Sequence, residues 1–258
     1  MMSKFTMFLY LVLILVSAVL VLPGCFEEPT IPAVERPYSS VRVGNFGFNT
    51  DVINLTIDGV SYGSINKYEF TDRFDLLSGK RSFLVTNSAG DELFNGSVTA
   101  VSYEEMSIVF DGFSAPGVDT LNSFAAYPIT DGLVYLDESP AAGETKVIVT
   151  NVAPDTDTSN VKRYTLNFIN DAAGIDSITG LIVFNETQTF NLPAGDYFVW
   201  VLEDTTADPN AVIKQYDTLN SVTTTFGSTM REYFFIAGDP NVAEVIRLTE
   251  APLPVRSK

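Results

Sequence analysis

Phe74-Asp75-Leu76-Leu77-Ser78-Gly79 and Phe190-Asn191-Leu192-Pro193-Ala194-Gly195 are two versions of one six-residue pattern. In each, an aromatic residue and a leucine two positions on share one face of an extended strand. A glycine follows where a side chain would force an unfavourable φ. Leu192-Pro193-Ala194-Gly195 suits a type I turn, with Pro second and Gly fourth. Apolar segments come next, Phe83-Leu84-Val85 and Tyr197-Phe198-Val199-Trp200-Val201-Leu202, so each copy reads as a β-hairpin.

Further anchors recur in the same order on either side. Val41-Arg42-Val43-Gly44-Asn45 is answered by Val147-Ile148-Val149-Thr150-Asn151. Residues 52–58 alternate, with Ile53, Leu55 and Ile57 on one face before the turn Asp58-Gly59, and Tyr164-Thr165-Leu166-Asn167-Phe168 alternates likewise. Residues 106–110 run into Asp111-Gly112 as residues 233–236 run into Ala237-Gly238, and Leu136-Asp137-Glu138-Ser139-Pro140 is matched by Leu248-Thr249-Glu250-Ala251-Pro252. Ordered recurrence of this kind indicates duplication. No stretch after Ser40 has a long helical period. The expected fold is all-β, two tandem immunoglobulin-like antiparallel β-sandwiches at residues 40–140 and 145–252, with a tail at 253–258. The Cys…Trp…Cys core of true immunoglobulin domains is missing, so the label concerns architecture.

Composition excludes several functions. Hydrophobic residues make up 46% of the 258-residue chain, enough for a core, so a net charge of −17 does not mean disorder. Phosphate backbones and anionic lipid headgroups are repelled by such a chain, and nucleic acid is not an expected partner. The chain has no histidine and a single cysteine. Ser-His-Asp and Cys-His nucleophilic sites, His-bearing zinc sites and an internal disulfide are therefore impossible within it.

The cysteine has a telling position. After Lys4, residues 5–22 are apolar except for Thr6, Tyr10 and Ser17, long enough for an uncleaved membrane anchor. The run ends in Leu22-Pro23-Gly24-Cys25, which resembles the lipobox of bacterial lipoproteins, although Pro23 stands where that family usually has Ala or Ser. The resemblance implies a signal peptide at 1–24, cleavage before Cys25, and acyl chains such as palmitate on the new N-terminus. It implies a cell-envelope protein held to the membrane by lipid, at the outer membrane if the host is Gram-negative. Residues 25–39 hold Pro29, Pro32 and Pro37 and read as an extended tether.

The valine-rich opening strand with its Asn, the alternating strand, Leu192-Pro193-Ala194-Gly195-Asp196-Tyr197 and the late aromatic strand resemble tandem copies of the uncharacterised domain family numbered 4397. The first copy departs from it at Leu77-Ser78-Gly79-Lys80. That family occurs in bacterial secreted and envelope proteins and has no established reaction, so the resemblance implies a location and a sandwich and carries over no site.

Two differences between the copies mark the expected binding surface. From glycine to terminal leucine, 112–136 is longer than 238–248, and the extra length carries Phe113, Phe124 and Tyr127. Long loops on a rigid sandwich are where binding evolves; the alternative is that these rings plug their own sandwich. Second, Phe198, Trp200 and Leu202 form an apolar row where the first copy has Ser82, Leu84 and Thr86. That row fits a covering segment or a protein or glycan partner. Asp155-Thr156-Asp157 resembles a calcium loop but lacks the required Gly, and Leu166 stands where the closing Glu belongs; no metal or cofactor is expected. The function these readings support is noncatalytic: two β-sandwich modules presented for protein or glycan binding or a structural role. A carboxylate-dependent glycoside hydrolase is the alternative, and it would need two acids facing across a cleft.

Overall fold

A computed structural model describes residues 37–112, 123–133, 139–153, 162–205, 216–239 and 242–250. Cys25 with Leu22, Pro23 and Gly24, Phe113, Asp155 and Asp157 lie outside them. The described chain is all-β, and no helix occurs among those residues. Its strands are β1 (Tyr38–Asn45), β2 (Val52–Ile57), β3 (Val60–Asn66), β4 (Phe74–Leu77), β5 (Gly79–Asn87), β6 (Glu92–Ala100), β7 (Glu104–Asp111) and β8 (Ala125–Leu133). The second half repeats them as β9 (Glu144–Asn151), β10 (Tyr164–Asn170), β11 (Ile175–Ile178), β12 (Thr187–Pro193), β13 (Gly195–Asp204), β14 (Tyr216–Phe226), β15 (Arg231–Asp239) and β16 (Val242–Glu250).

The duplication extends to strand order. The first eight strands form the sheets β4-β1-β7-β8 and β3-β2-β5-β6; the second eight form β12-β9-β15-β16 and β11-β10-β13-β14. Each half is thus a sandwich of two four-stranded sheets, as the strand pattern predicts. Connectivity is not that of an immunoglobulin constant domain, whose sheets are A-B-E-D and C-F-G. Lettered from the N-terminus, both sandwiches here are D-A-G-H and C-B-E-F. Pairing is antiparallel except for one parallel ladder in each, β1 with β7 and β9 with β15.

The six-residue pattern is not a hairpin, which corrects the sequence reading. β4 pairs with β1 in one sheet while β5, starting immediately after Ser78, pairs with β2 and β6 in the other. β12 and β13 do the same, separated only by Ala194. The glycine is a corner at which one extended segment changes sheets. Gly79 (φ 108°) and Gly195 (φ 150°) adopt backbone angles that disfavour a side chain. Both corners are pinned alike: Ser78 N–H donates to Pro37 O at 3.0 Å, and Ala194 N–H to Gly143 O at 2.7 Å. The hydroxyl of Tyr197 donates to Pro193 O at 2.9 Å, and Arg81 Nε makes the matching bond to Leu77 O.

True hairpins occur elsewhere. Asp58-Gly59 joins β2 to β3 with φ of 50° and 80°, the left-handed pair that a tight two-residue hairpin demands.

Alternation places the cores. Val41, Val43, Ile53, Leu55, Phe83, Val85, Met106, Ile108 and Phe110 fill the first sandwich; Val147, Val149, Leu166, Phe168, Val199, Val201, Phe234 and Ile236 fill the second. A third cluster lies between them. Phe46, Val109 and Ile129 of the first half pack on Ile148, Val152, Tyr233, Phe235 and Ala237 of the second. The sheets containing β1 and β9 therefore bury both faces, one on their own partner sheet and one on each other. This is why β7 and β15 read as nearly unbroken apolar runs.

Candidate functional site

Burying two sheet faces against each other also buries charge. Arg42 and Ser107 point from β1 and β7 toward the second sandwich. Arg73, just before β4, donates Nε and Nη2 to Glu250 on β16 at 2.5 and 2.9 Å, and Nη2 to Asp131 at 2.8 Å. Arg42 reaches Glu250 at 3.1 Å, donates Nε to Ser107 Oγ at 2.7 Å, and lies 4.1 Å from the ring centre of Tyr233. Ser107 Oγ in turn donates to Asp131 at 2.6 Å. Nearby, Arg231 and Glu105 form a buried ion pair across the same boundary.

Burial alone would raise the Glu250 carboxyl; the hydrogen bond from Arg73 and the charges of Arg42 and Arg73 outweigh it and hold it below its ordinary value. Conversely, burial would lower the Arg73 guanidinium, and Glu250 with Asp131 raises it. The group opens into a cleft of about 410 Å³, walled by residues 68–73 and 246–250. Glu250 and Asp131 are committed to arginines, whereas Glu69, which accepts from Asn66 Nδ2 at 2.8 Å, and Asp72 are exposed acids on the cleft wall. A general acid needs a raised carboxyl in the cleft, and the carboxyl that burial pushes well above its usual range is Asp111, fully buried on β7 with neither oxygen hydrogen-bonded.

The second feature is the outer face of β11-β10-β13-β14. Tyr197, Val199 and Val201 point inward, leaving Phe198 and Trp200 outward at 51% and 40% exposure. Cross-strand register gives their neighbours. Phe198 stands between Ile169 and Thr223, Trp200 between Asn167 and Ser221, and Ile178, 51% exposed, lies beyond Asn167. The Asn167 Oδ1 is shielded from solvent and accepts no hydrogen bond.

On the equivalent sheet of the first sandwich polar groups pair with one another, and the exposed apolar groups, Val60 and Tyr62, lie on the edge strand β3. Ser82 donates its amide to Asp58, Asn54 donates to Asn87 O at 3.0 Å and accepts from Ser64 at 2.7 Å, and Arg81 pairs with Asp58 at 3.1 Å.

The sequence-derived residues thus separate. Phe198 and Trp200 share an open face. Leu202, on the same strand, is 8% exposed and pairs in register with Thr165, itself fully buried; it is not a surface group. Phe124 is 7% exposed and stacks on Phe110 with ring centres 5.9 Å apart, so it fills its own core, the plugging role. Tyr127 is half-buried on β8 against Phe184, ring centres 5.8 Å apart. It is not near the Phe198 row in register and belongs to the boundary between sandwiches. Asn167, Ser221 and Thr223 were not singled out from sequence; the signal was available in strand alternation, once β10 and β14 are placed beside β13.

No family model matches the chain, and no curated protein matches it. Among solved structures, the chain is similar to a crystal structure from Bacteroides ovatus whose name proposes a role in cell adhesion. The two are 12% identical, the match covers 84% of this chain and 98% of that one, and the TM-score is 0.25.

Proposed function

We propose that this protein is a noncatalytic envelope lipoprotein that presents a rigid pair of β-sandwiches for binding, through the outer face of the second. The observation that carries this reading is the contrast between equivalent faces. On the middle strands of the first sandwich the outward positions include Ser82, Thr86 and Asn54, the last hydrogen-bonded to Ser64, while the second leaves Phe198 and Trp200 to solvent and an amide oxygen unpaired. Exposed aromatic groups of this kind mark interaction sites when they lie together. The anchoring half of the proposal rests on the apolar run and Leu22-Pro23-Gly24-Cys25: lipid on Cys25 and the tether at 25–39 would hold the sandwiches at a bacterial membrane, the outer one in a Gram-negative host. The resemblance to family 4397 agrees with an envelope location. The hydrolase alternative has less support, since Glu250, the half-buried acid lining the cleft, is bound by Arg42 and Arg73, and the others, Glu69 and Asp72, are exposed.

Two measurements test this. Metabolic labelling with a palmitate analogue should mark the protein and fail on Cys25→Ala; an unlabelled protein that retains residues 1–24 would overturn the anchor. The Phe198→Ala/Trp200→Ala variant should keep its melting temperature within a few degrees and lose partner binding. Early melting with partner binding intact would overturn the binding face.

A further inference from the structure

We infer that the Phe198–Trp200 face takes a neutral saccharide chain; this rests on the binding-face reading above and names its ligand class. Three observations lead there.

Each aromatic ring is flanked in register by a short polar side chain, Thr223 beside Phe198 and Asn167 and Ser221 beside Trp200. A sugar ring is apolar on its face and hydroxylated at its rim, so it needs this interleaving; a protein hot spot calls for an apolar centre with its polar groups at the edge. Residues two apart on a strand are about 7 Å apart along it, so the two rings lie in one row along β13.

The second observation is the Asn167 amide. A shielded acceptor without a donor is under-satisfied, and it lies in register beside Trp200, which is 40% exposed. A hydroxyl both donates and accepts, so a sugar satisfies this amide in either orientation.

The third is charge. The four strands of this sheet contain no lysine or arginine and carry Asp176, Asp196, Glu203, Asp204 and Asp217. Lys162 and Arg163, just before β10, are paired with Glu203 and Asp204. Uronate, sulfate and phosphate groups would meet acids there and no cation, which restricts the ligand to uncharged sugars.

Trp200 is the chain's sole tryptophan, so its fluorescence reports this face alone. Titrating the full-length protein with chitotetraose, cellotetraose and mannotetraose should give a saturable shift with at least one. Trp200→Ala, followed by calorimetry, should weaken that binding by about tenfold or more at unchanged melting temperature, Asn167→Ala should weaken it by a smaller factor, and oligogalacturonate should give no response. Absence of a response to all three neutral probes overturns the saccharide, as does equal binding by Trp200→Ala or equal response to oligogalacturonate. If the neutral probes fail while a photo-crosslinker at position 198 captures a protein, the saccharide falls and the binding face stands. If neither occurs, both fall.

Discussion

Glu105 and Arg231 occupy the same position in the two sandwiches, and each is the other's salt-bridge partner. The parallel ladders set the equivalence: Glu105 lies opposite Ser40 on β1, and Arg231 lies opposite Lys146 on β9. Equivalent residues can touch only near an axis relating the copies, so the halves meet with approximate two-fold symmetry, as in an isologous dimer. Val109 and Phe235, and Phe46 and Val152, are further equivalent pairs in the shared cluster.

Removing one partner of the Glu105–Arg231 pair leaves the other charge buried. Arg231→Met should therefore cost about 3–5 kcal/mol in denaturant unfolding. The double variant Glu105→Leu/Arg231→Met should recover most of that loss, because two apolar groups leave no orphan. A double variant no better than the single would show that the charges themselves hold the boundary.

Glu250 gives a pH dependence. Its folded carboxyl titrates below its ordinary value of 4.5, so the unfolded chain binds more protons in between and stability rises with pH there. The stabilisation is complete above about pH 5 and is lost as pH falls through the folded value. Glu250→Gln should lower stability by about 2–3 kcal/mol at pH 7, less than for a fully buried pair since Glu250 retains some solvent, and should flatten the acid limb of melting temperature against pH.

Asp111 has the opposite sign. Burial raises its carboxyl well above the ordinary 3.8, so between the two values the folded state binds more protons and stability falls as pH rises. The second sandwich has Ala237 at the corresponding place. Asp111→Ala should stabilise the protein by about 1–3 kcal/mol at pH 7 and by much less at pH 3, measured by thermal melts at both values.

The corners give a test of the sheet switch. Gly195→Ala places a Cβ 2.8 Å from Asn170 Nδ2 at φ 150°, whereas Gly79→Ala meets nothing within 4 Å at φ 108°. Both should destabilise by about 1–3 kcal/mol through backbone strain, and Gly195→Ala by more, in urea titrations of the two variants.

The sandwich and its duplication were legible because alternation is local: Ile53-Leu55-Ile57 and Tyr164-Leu166-Phe168 declare their faces without knowledge of a partner. The corner after Phe74 and Phe190 was not. A hairpin and a sheet switch both ask for alternation followed by glycine, and only the partner strand tells them apart. Nor could Arg42, Arg73 and Asp131 be assigned to a buried cluster, since an arginine carries the same letter on a surface as inside. The two-sided apolar runs Ile108-Val109-Phe110 and Phe234-Phe235-Ile236 were the available hint that those strands are covered on both faces. At the candidate site the aromatic row could be read from one strand, whereas its polar flank, contributed by β10 and β14, required the register.

Because β1 forms its parallel ladder with β7, and β9 with β15, neither half can close while the ribosome is still partway through it. A nascent chain stopped before residue 104 holds its opening strand only by the short β4 ladder and the bonds that join residues 68–71 to Val43 and Asn45. Loop closure over most of a repeat must precede the ladder that rewards it, which makes for slow, late folding. Such a polypeptide spends its synthesis open, and each half locks when its seventh strand arrives.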